Sequence, residues 1–269
     1  MALEPSSIQR DQMLTYGKTK LTQVHFLVPK NERSGREFIS DSLRVVQTQG
    51  GSRQHILQIN QLLTVGEMPY QFLVVDSFPS SQALLLAHEN SREIRQDSLD
   101  EVYSILVKPD IWTSRIVKWL GFLESTFSRW FDTAGIKEFD DFSDRLKPET
   151  DPNYEKVGEF RKGDLEKAFY MMNLNQFFSN GKASYKRYSI RVTPNLISVG
   201  GFPDIFGEVL GTYIGDQKSP LYNVWHEFGL VYYPSRTSFL RMMTNTPAIA
   251  AEARRAGLKK AVLMPCSQR

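Results

Sequence analysis

His226 lies between Trp225 and Glu227 at the start of an apolar run. An imidazole so placed suits proton transfer near neutral pH, or axial ligation of a haem iron. Asn173 stands in the apolar segment 169–177. An amide there must find a partner, because an unpaired buried polar group costs about 1–3 kcal/mol. Aimed into a pocket, it orients a carbonyl or an oxygen species. Tyr188 adds a phenol donor. His226, Asn173 and Tyr188 are the expected catalytic set, with Tyr213, Trp225, Tyr232 and Met171 expected to line the ligand. Strand alternation puts His226, Phe228, Leu230 and Tyr232 on one face, and Trp225, Glu227, Gly229, Val231 and Tyr233 on the other. Tyr185 is a further pocket phenol. Arg187, Arg191 and Arg236 are read as solvated. His25, His55 and His88 are read as structural; the four histidines share no ligand spacing, so no metal site is expected. Cys266 is the single cysteine. It excludes an intramolecular disulfide and lacks the partner a catalytic thiol needs. Phosphate-cradling glycine loops, nucleophile elbows and HExxH are all absent.

These residues need elements to position them, and the chain writes one order of elements twice. Gly50-Gly51 and Gly200-Gly201 each open an apolar strand that ends in Gly66-Glu67 or Gly215-Asp216. A second apolar strand follows and closes on Phe78-Pro79-Ser80 or Tyr233-Pro234-Ser235. A helical run comes next, 82–95 in one copy and 237–256 in the other. A last strand ends at Pro109 or Pro265. From Pro79 to Pro109 is 30 residues, and from Pro234 to Pro265 is 31. Segments 22–29 and 169–177 read as first strands, and 36–47 and 186–199 as first helices, with Pro194 inside the latter, kinking it or marking its last turns. Each copy is therefore βαββαβ, the ferredoxin-like unit. One such sheet leaves a bare face, and two copies cover each other. The expected fold is α+β: two ferredoxin-like repeats, 1–109 and 166–269, closing into one barrel within the chain.

The second copy resembles a known superfamily. Phe169-Tyr170-Met171-Met172-Asn173-Leu174, Ala183-Ser184-Tyr185-Lys186-Arg187-Tyr188, Val199-Gly200-Gly201, Val209-Leu210-Gly211-Thr212-Tyr213-Ile214-Gly215, Trp225-His226-Glu227 and Tyr232-Tyr233-Pro234-Ser235-Arg236 are similar to the dimeric α+β barrel proteins. They are closest to one of its families of unknown function. The first copy lacks the Asn-Leu and Trp-acid pairs and reads as degenerate. The resemblance implies an apolar cavity between sheet and helices. It also implies one of the superfamily's activities: cofactor-free oxygenation, cyclisation or isomerisation, or haem binding.

Residues 110–165 belong to neither copy. Trp112, Ile116, Trp119, Leu120, Leu123, Phe127, Trp130 and Phe131 share one side of a helix. Trp112, Trp119 and Trp130 are the expected contact with a membrane surface, a partner protein or a second copy, over 111–131. The stretch 132–164 is acidic, lacks the glycine and terminal Glu of an EF-hand, and reads as a surface linker. The chain has 269 residues, 41% apolar and 23% charged, with 33 basic against 30 acidic side chains, a net charge of +3. That composition suits a folded protein and gives no case for nucleic acid. No run of about 18 apolar residues is present, and no secretory h-region. A cytoplasmic protein is expected, peripheral to a membrane if the tryptophan helix docks there. The leading expectation is a small-molecule enzyme or binder for an apolar or aromatic ligand without a cofactor. The alternatives are a haem or tetrapyrrole barrel and a non-catalytic scaffold.

Overall fold

The computed structural model describes residues 3–110 and 149–268. The first unit comprises β1 (Leu21–Pro29), α2 (Glu32–Thr48), β2 (Ser52–Ile59), β3 (Phe72–Phe78), α3 (Ser81–Asn90), α4 (Arg92–Ser98) and β4 (Leu99–Pro109), preceded by α1 (Ser7–Leu14). The second comprises β5 (Phe169–Phe177), α6 (Gly181–Ser198), β6 (Phe202–Ile214), β7 (Glu227–Tyr233), α7 (Arg236–Thr244), α8 (Ala248–Gly257) and β8 (Leu258–Gln268), preceded by α5 (Tyr154–Arg161). Each unit orders its strands alike, β4-β1-β3-β2 and β8-β5-β7-β6, and all pairings are antiparallel. β4 pairs with β6 and β2 with β8, which closes the two sheets into one eight-stranded barrel. The fold is thus α+β, two ferredoxin-like units forming a dimeric α+β barrel within one chain.

The turn before the second strand is the same in both units. Gly50 and Gly200 hold φ of 71° and 77°, the left-handed region in which a Cβ would be strained. Period-2 alternation then divides each strand. One side points into the barrel, where Phe26, Leu57, Leu73, Tyr103 and Val107 meet Met172, Leu174, Phe228, Leu230 and Met264. Burial of each such side chain contributes about 1.5–3 kcal/mol. The other side faces the helices. Strand β3 is buried along its whole length, because the barrel interior covers one face and the helices the other.

Several boundaries differ from the sequence expectation. The run 237–256 is two helices, broken where Pro247 cannot continue α7. The run 82–95 also breaks, at Ser91, which leaves the helical region to begin α4. Pro194 lies in the last turns of α6, which ends at Ser198. Part of the expected linker is helix α5, because Val157 and Phe160 bury against Phe169 and Phe239. The expected tryptophan helix, with Trp112, Trp119 and Trp130, lies outside the described residues.

Candidate active site

The outer face of the second unit's sheet and the helices α6, α7 and α8 line an open cavity of about 1220 Å³. This exceeds the roughly 300–1,000 Å³ of most small-molecule sites. Met171, Val192, Leu196, Val231, Tyr233, Phe239 and Leu263 give it an apolar lining. Its roof is set by a close crossing. A Cβ on Gly181 would come within 2.0 Å of the Gly257 carbonyl oxygen, so α6 and α8 meet backbone to backbone.

Polar groups gather at one part of the wall. Asn175, on β5, is opposite Glu227 on β7 in the strand register. Asn175 Nδ2 donates to the Tyr185 hydroxyl oxygen at 2.9 Å and to Glu227 Oε1 at 3.0 Å. Burial pushes the Glu227 carboxyl up to about 7, against the lesser effects of the Asn175 hydrogen bond and the Lys182 charge. Burial, reinforced by the Glu227 charge, raises Tyr185 well above the usual phenol range. Tyr185 therefore stays protonated. Its oxygen accepts from Asn175, so its own proton is free for another acceptor. Asn175 Oδ1 is buried without a partner among the described residues. Leaving it so costs about 1–3 kcal/mol, and such debts gather at functional sites.

Three expected site residues join this cavity: Met171, Asn173 and Tyr188. Asn173 Nδ2 donates to the Met171 carbonyl at 2.9 Å. Tyr188 packs against Tyr185 at 5.3 Å and lies under the Arg254 guanidinium, 6.0 Å from the ring centre. Four others lie elsewhere. His226 is exposed, and its Nδ1 accepts from the Phe177 amide at 2.9 Å while its ring stacks on Phe177, so it clamps the end of β5. Trp225 is buried among the barrel-core residues, its indole donating to the Leu221 carbonyl at 2.7 Å. Tyr213 is buried in the first unit's helical layer, 5.2 Å from His88. Tyr232 packs between Phe202 and Tyr170 on the opposite side of β7. The alternation across 225–233 was legible, but the cavity takes the face of Glu227, Gly229, Val231 and Tyr233, not that of His226. Glu227 and Asn175 went unselected. Their signal was two polar residues on the helix-facing side of adjacent apolar strands.

Among the described residues, the corresponding place in the first unit is filled. Leu21 is opposite Phe78 as Phe169 is opposite Tyr233, so Leu27, Phe72, Val74 and Asp76 stand where Asn175, Glu227, Gly229 and Val231 do. Asp76 receives a buried Arg53 at 2.8 Å, and His25 bonds Ser104 at 2.7 Å. Only about 20 Å³ remains there.

A haem would require an axial ligand from the cavity wall. No histidine lines it. His25 and His88 belong to the packed first unit, His55 pairs with Asp204 at 2.7 Å, and His226 is outside. Cys266 is buried in the barrel core, where burial pushes its thiol up. The phenols on the wall are likewise raised. Among the described residues no histidine or cysteine lines the wall, so none is placed there to give a haem iron an imidazole or thiolate ligand. Among the described residues no group of three or more His, Cys, Asp or Glu is placed to hold a metal ion, and no helix is long and apolar enough to cross a membrane.

Neither a family model nor a curated protein sequence matches the chain. Among solved structures, a Rhodopseudomonas palustris protein of unknown function is 24% identical, covers 44% of this chain and 94% of its own, and has a TM-score of 0.37. A mutant chlorite dismutase from Candidatus Nitrospira defluvii is 6% identical, with 96% and 95% covered and a TM-score of 0.45. A Rhodococcus jostii DypB variant in complex with haem is 9% identical, with 100% and 97% covered and a TM-score of 0.44. These likenesses concern the course of the chain. Strand order and closure define it from within as a dimeric α+β barrel built from a single polypeptide.

Proposed function

We propose that the protein binds a small apolar or aromatic carbonyl compound in the cavity of its second unit and converts it without a cofactor, by proton abstraction. The observation that carries this reading is the contiguous Glu227–Asn175–Tyr185 group on the wall of a largely apolar cavity. Glu227 is the base. Its carboxylate takes a proton from the carbon next to the carbonyl, and the electron pair moves onto the carbonyl oxygen. The Tyr185 hydroxyl donates to that oxygen as charge develops. Asn175 holds the two groups side by side by donating to both. A carboxyl near pKa 7 is half ionised at neutral pH, which suits a base that must also return the proton. Return to a different carbon is isomerisation; attack by the enolate carbon on a second carbonyl is cyclisation; addition of dioxygen to it begins oxygenation. The apolar lining fills by ligand burial, and Asn173 and Tyr188 supply further polar contacts along the wall.

Deuterium incorporation into tetralone, followed by NMR in heavy water, tests the reading without knowledge of the natural substrate. The full chain is expected to catalyse exchange next to the carbonyl, with a rate that rises through an inflection near pH 7. Glu227→Gln should abolish it, and Tyr185→Phe should slow it by about 10²-fold, as loss of an oxyanion donor does. No exchange above buffer from the wild-type chain, with tetralone shown to bind, would sink the base assignment.

A further inference from the structure

The cavity wall carries four cationic side chains, Lys182, Lys186, Arg254 and Arg255, and three acidic ones, Asp110, Asp151 and Glu227. The acids do not neutralise the cations evenly. Asp151 gives Oδ1 to Arg254 at 2.5 Å, and Arg254 also covers Tyr188. Glu227 is engaged by Asn175. Arg255 keeps one weak contact, its Nε 3.4 Å from Asp151 Oδ2. That nitrogen is buried without a hydrogen-bond partner among the described residues. The Arg255 side chain is only 23% exposed, and no residue described takes its terminal nitrogens. Lys182 and Lys186 stand one helical turn apart on α6 and also line the cavity. A guanidinium held partly buried beside apolar surface, with its Nε lacking a hydrogen bond among the described residues, is suited to an anion that its terminal nitrogens can reach.

We propose, resting on the cavity reading above, that the ligand is an anion: an apolar or aromatic molecule bearing a carboxylate, which Arg255 binds through its terminal nitrogens with Lys182 and Lys186 reinforcing the field. The apolar lining takes the body of the molecule. The carboxylate lies on the helix side, at Arg255. Arg254 is a positioning residue: it holds Asp151 and so fixes the Arg255 stem.

The test is calorimetric titration of the full chain with naphthoate and with acetonaphthone, its neutral counterpart. The wild type is expected to bind naphthoate about tenfold or more tightly than the ketone, the size of one charge-assisted contact. Added salt should narrow the gap. Arg255→Gln should bring naphthoate affinity down to that of the ketone, and Arg255→Lys should restore part of the preference. Equal binding of the two probes by the wild type overturns the anion inference and spares the cavity. Failure of both probes to bind overturns the cavity reading and this inference with it. If Arg255→Gln does not fold, the salt dependence of the wild type decides alone: a naphthoate affinity indifferent to salt counts against the proposal.

Discussion

Glu227 shows how a single position turns a packed layer into a site. Its counterpart in the first unit is Phe72, which simply fills space between strand and helix. A carboxyl in the same kind of place is desolvated, and its pKa rises from 4.5 to about 7. Between those values the folded chain holds a proton that the unfolded chain has released. Stability therefore falls as pH rises from about 4.5 to about 7, and levels above that. Glu227→Gln removes the titration and keeps the Asn175 contact. The variant is expected to be more stable than wild type at pH 8, by up to about 3 kcal/mol, and level with it at pH 4. Urea denaturation at the two pH values checks this; a variant equally destabilised at both would contradict it. In the first unit the charges are structural. Arg53→Met strands Asp76, whose side chain is only 2% exposed, and should cost about 3–5 kcal/mol in urea denaturation at pH 7. Adding Asp76→Leu should recover much of that loss. A loss below about 1 kcal/mol for Arg53→Met would deny the pair its role.

At the scale of elements, α6 is pinned against α8 at one end, and both helices line the cavity. The pin is the pair Gly181 and Gly257. A Cβ on Gly257 would sit 2.7 Å from the Tyr185 amide nitrogen. Gly257→Ala must push the two helices apart and move Tyr185 from Asn175. It is expected to cost about 1–3 kcal/mol and to weaken exchange activity as well as stability. Gly229 behaves differently. A Cβ there meets Phe206 at 3.6 Å and Asn173 at 3.8 Å, ordinary contact distances. Gly229→Val is expected to fold, to leave stability within about 1 kcal/mol of wild type, and to exclude naphthalene-sized ligands by narrowing the cavity. Unchanged naphthoate affinity in Gly229→Val would place the ligand elsewhere.

At the scale of the molecule, the barrel interior belongs to both units at once. Phe26, Leu73 and Tyr103 from the first share a core with Met172, Phe228 and Met264 from the second. The seam between β2 and β8 extends beyond the strands, where the Asn60 amide donates to the Pro265 carbonyl at 3.0 Å and the Leu63 amide to the Leu263 carbonyl at 2.8 Å. Neither unit can open without exposing the other's apolar face. Calorimetry is expected to show one cooperative transition, with calorimetric and van't Hoff enthalpies in agreement. Two separable transitions would mean that the units fold independently.

The order of elements, the paired Gly-Gly turns and the barrel of two ferredoxin-like units were all legible in the sequence. They depend on local quantities: strand alternation, helical period, and a φ that glycine tolerates at Gly50 and Gly200. Asn173, Tyr188 and Met171, which line the cavity, stand out for the same reason, since each is an odd or bulky residue at a readable strand or helix position. Tyr213, Trp225, Tyr232 and His226 were equally conspicuous, but conspicuousness does not tell a residue which side of a two-sided sheet it faces. In a closed barrel both sides are buried, so hydrophobicity alone cannot separate the core-facing side from the ligand-facing side. Only the tertiary structure decided that Glu227, rather than its neighbour His226, meets the cavity. It also decided which unit keeps a cavity at all, because Arg53 and Asp76 come from different strands and fill the first one only when those strands pair.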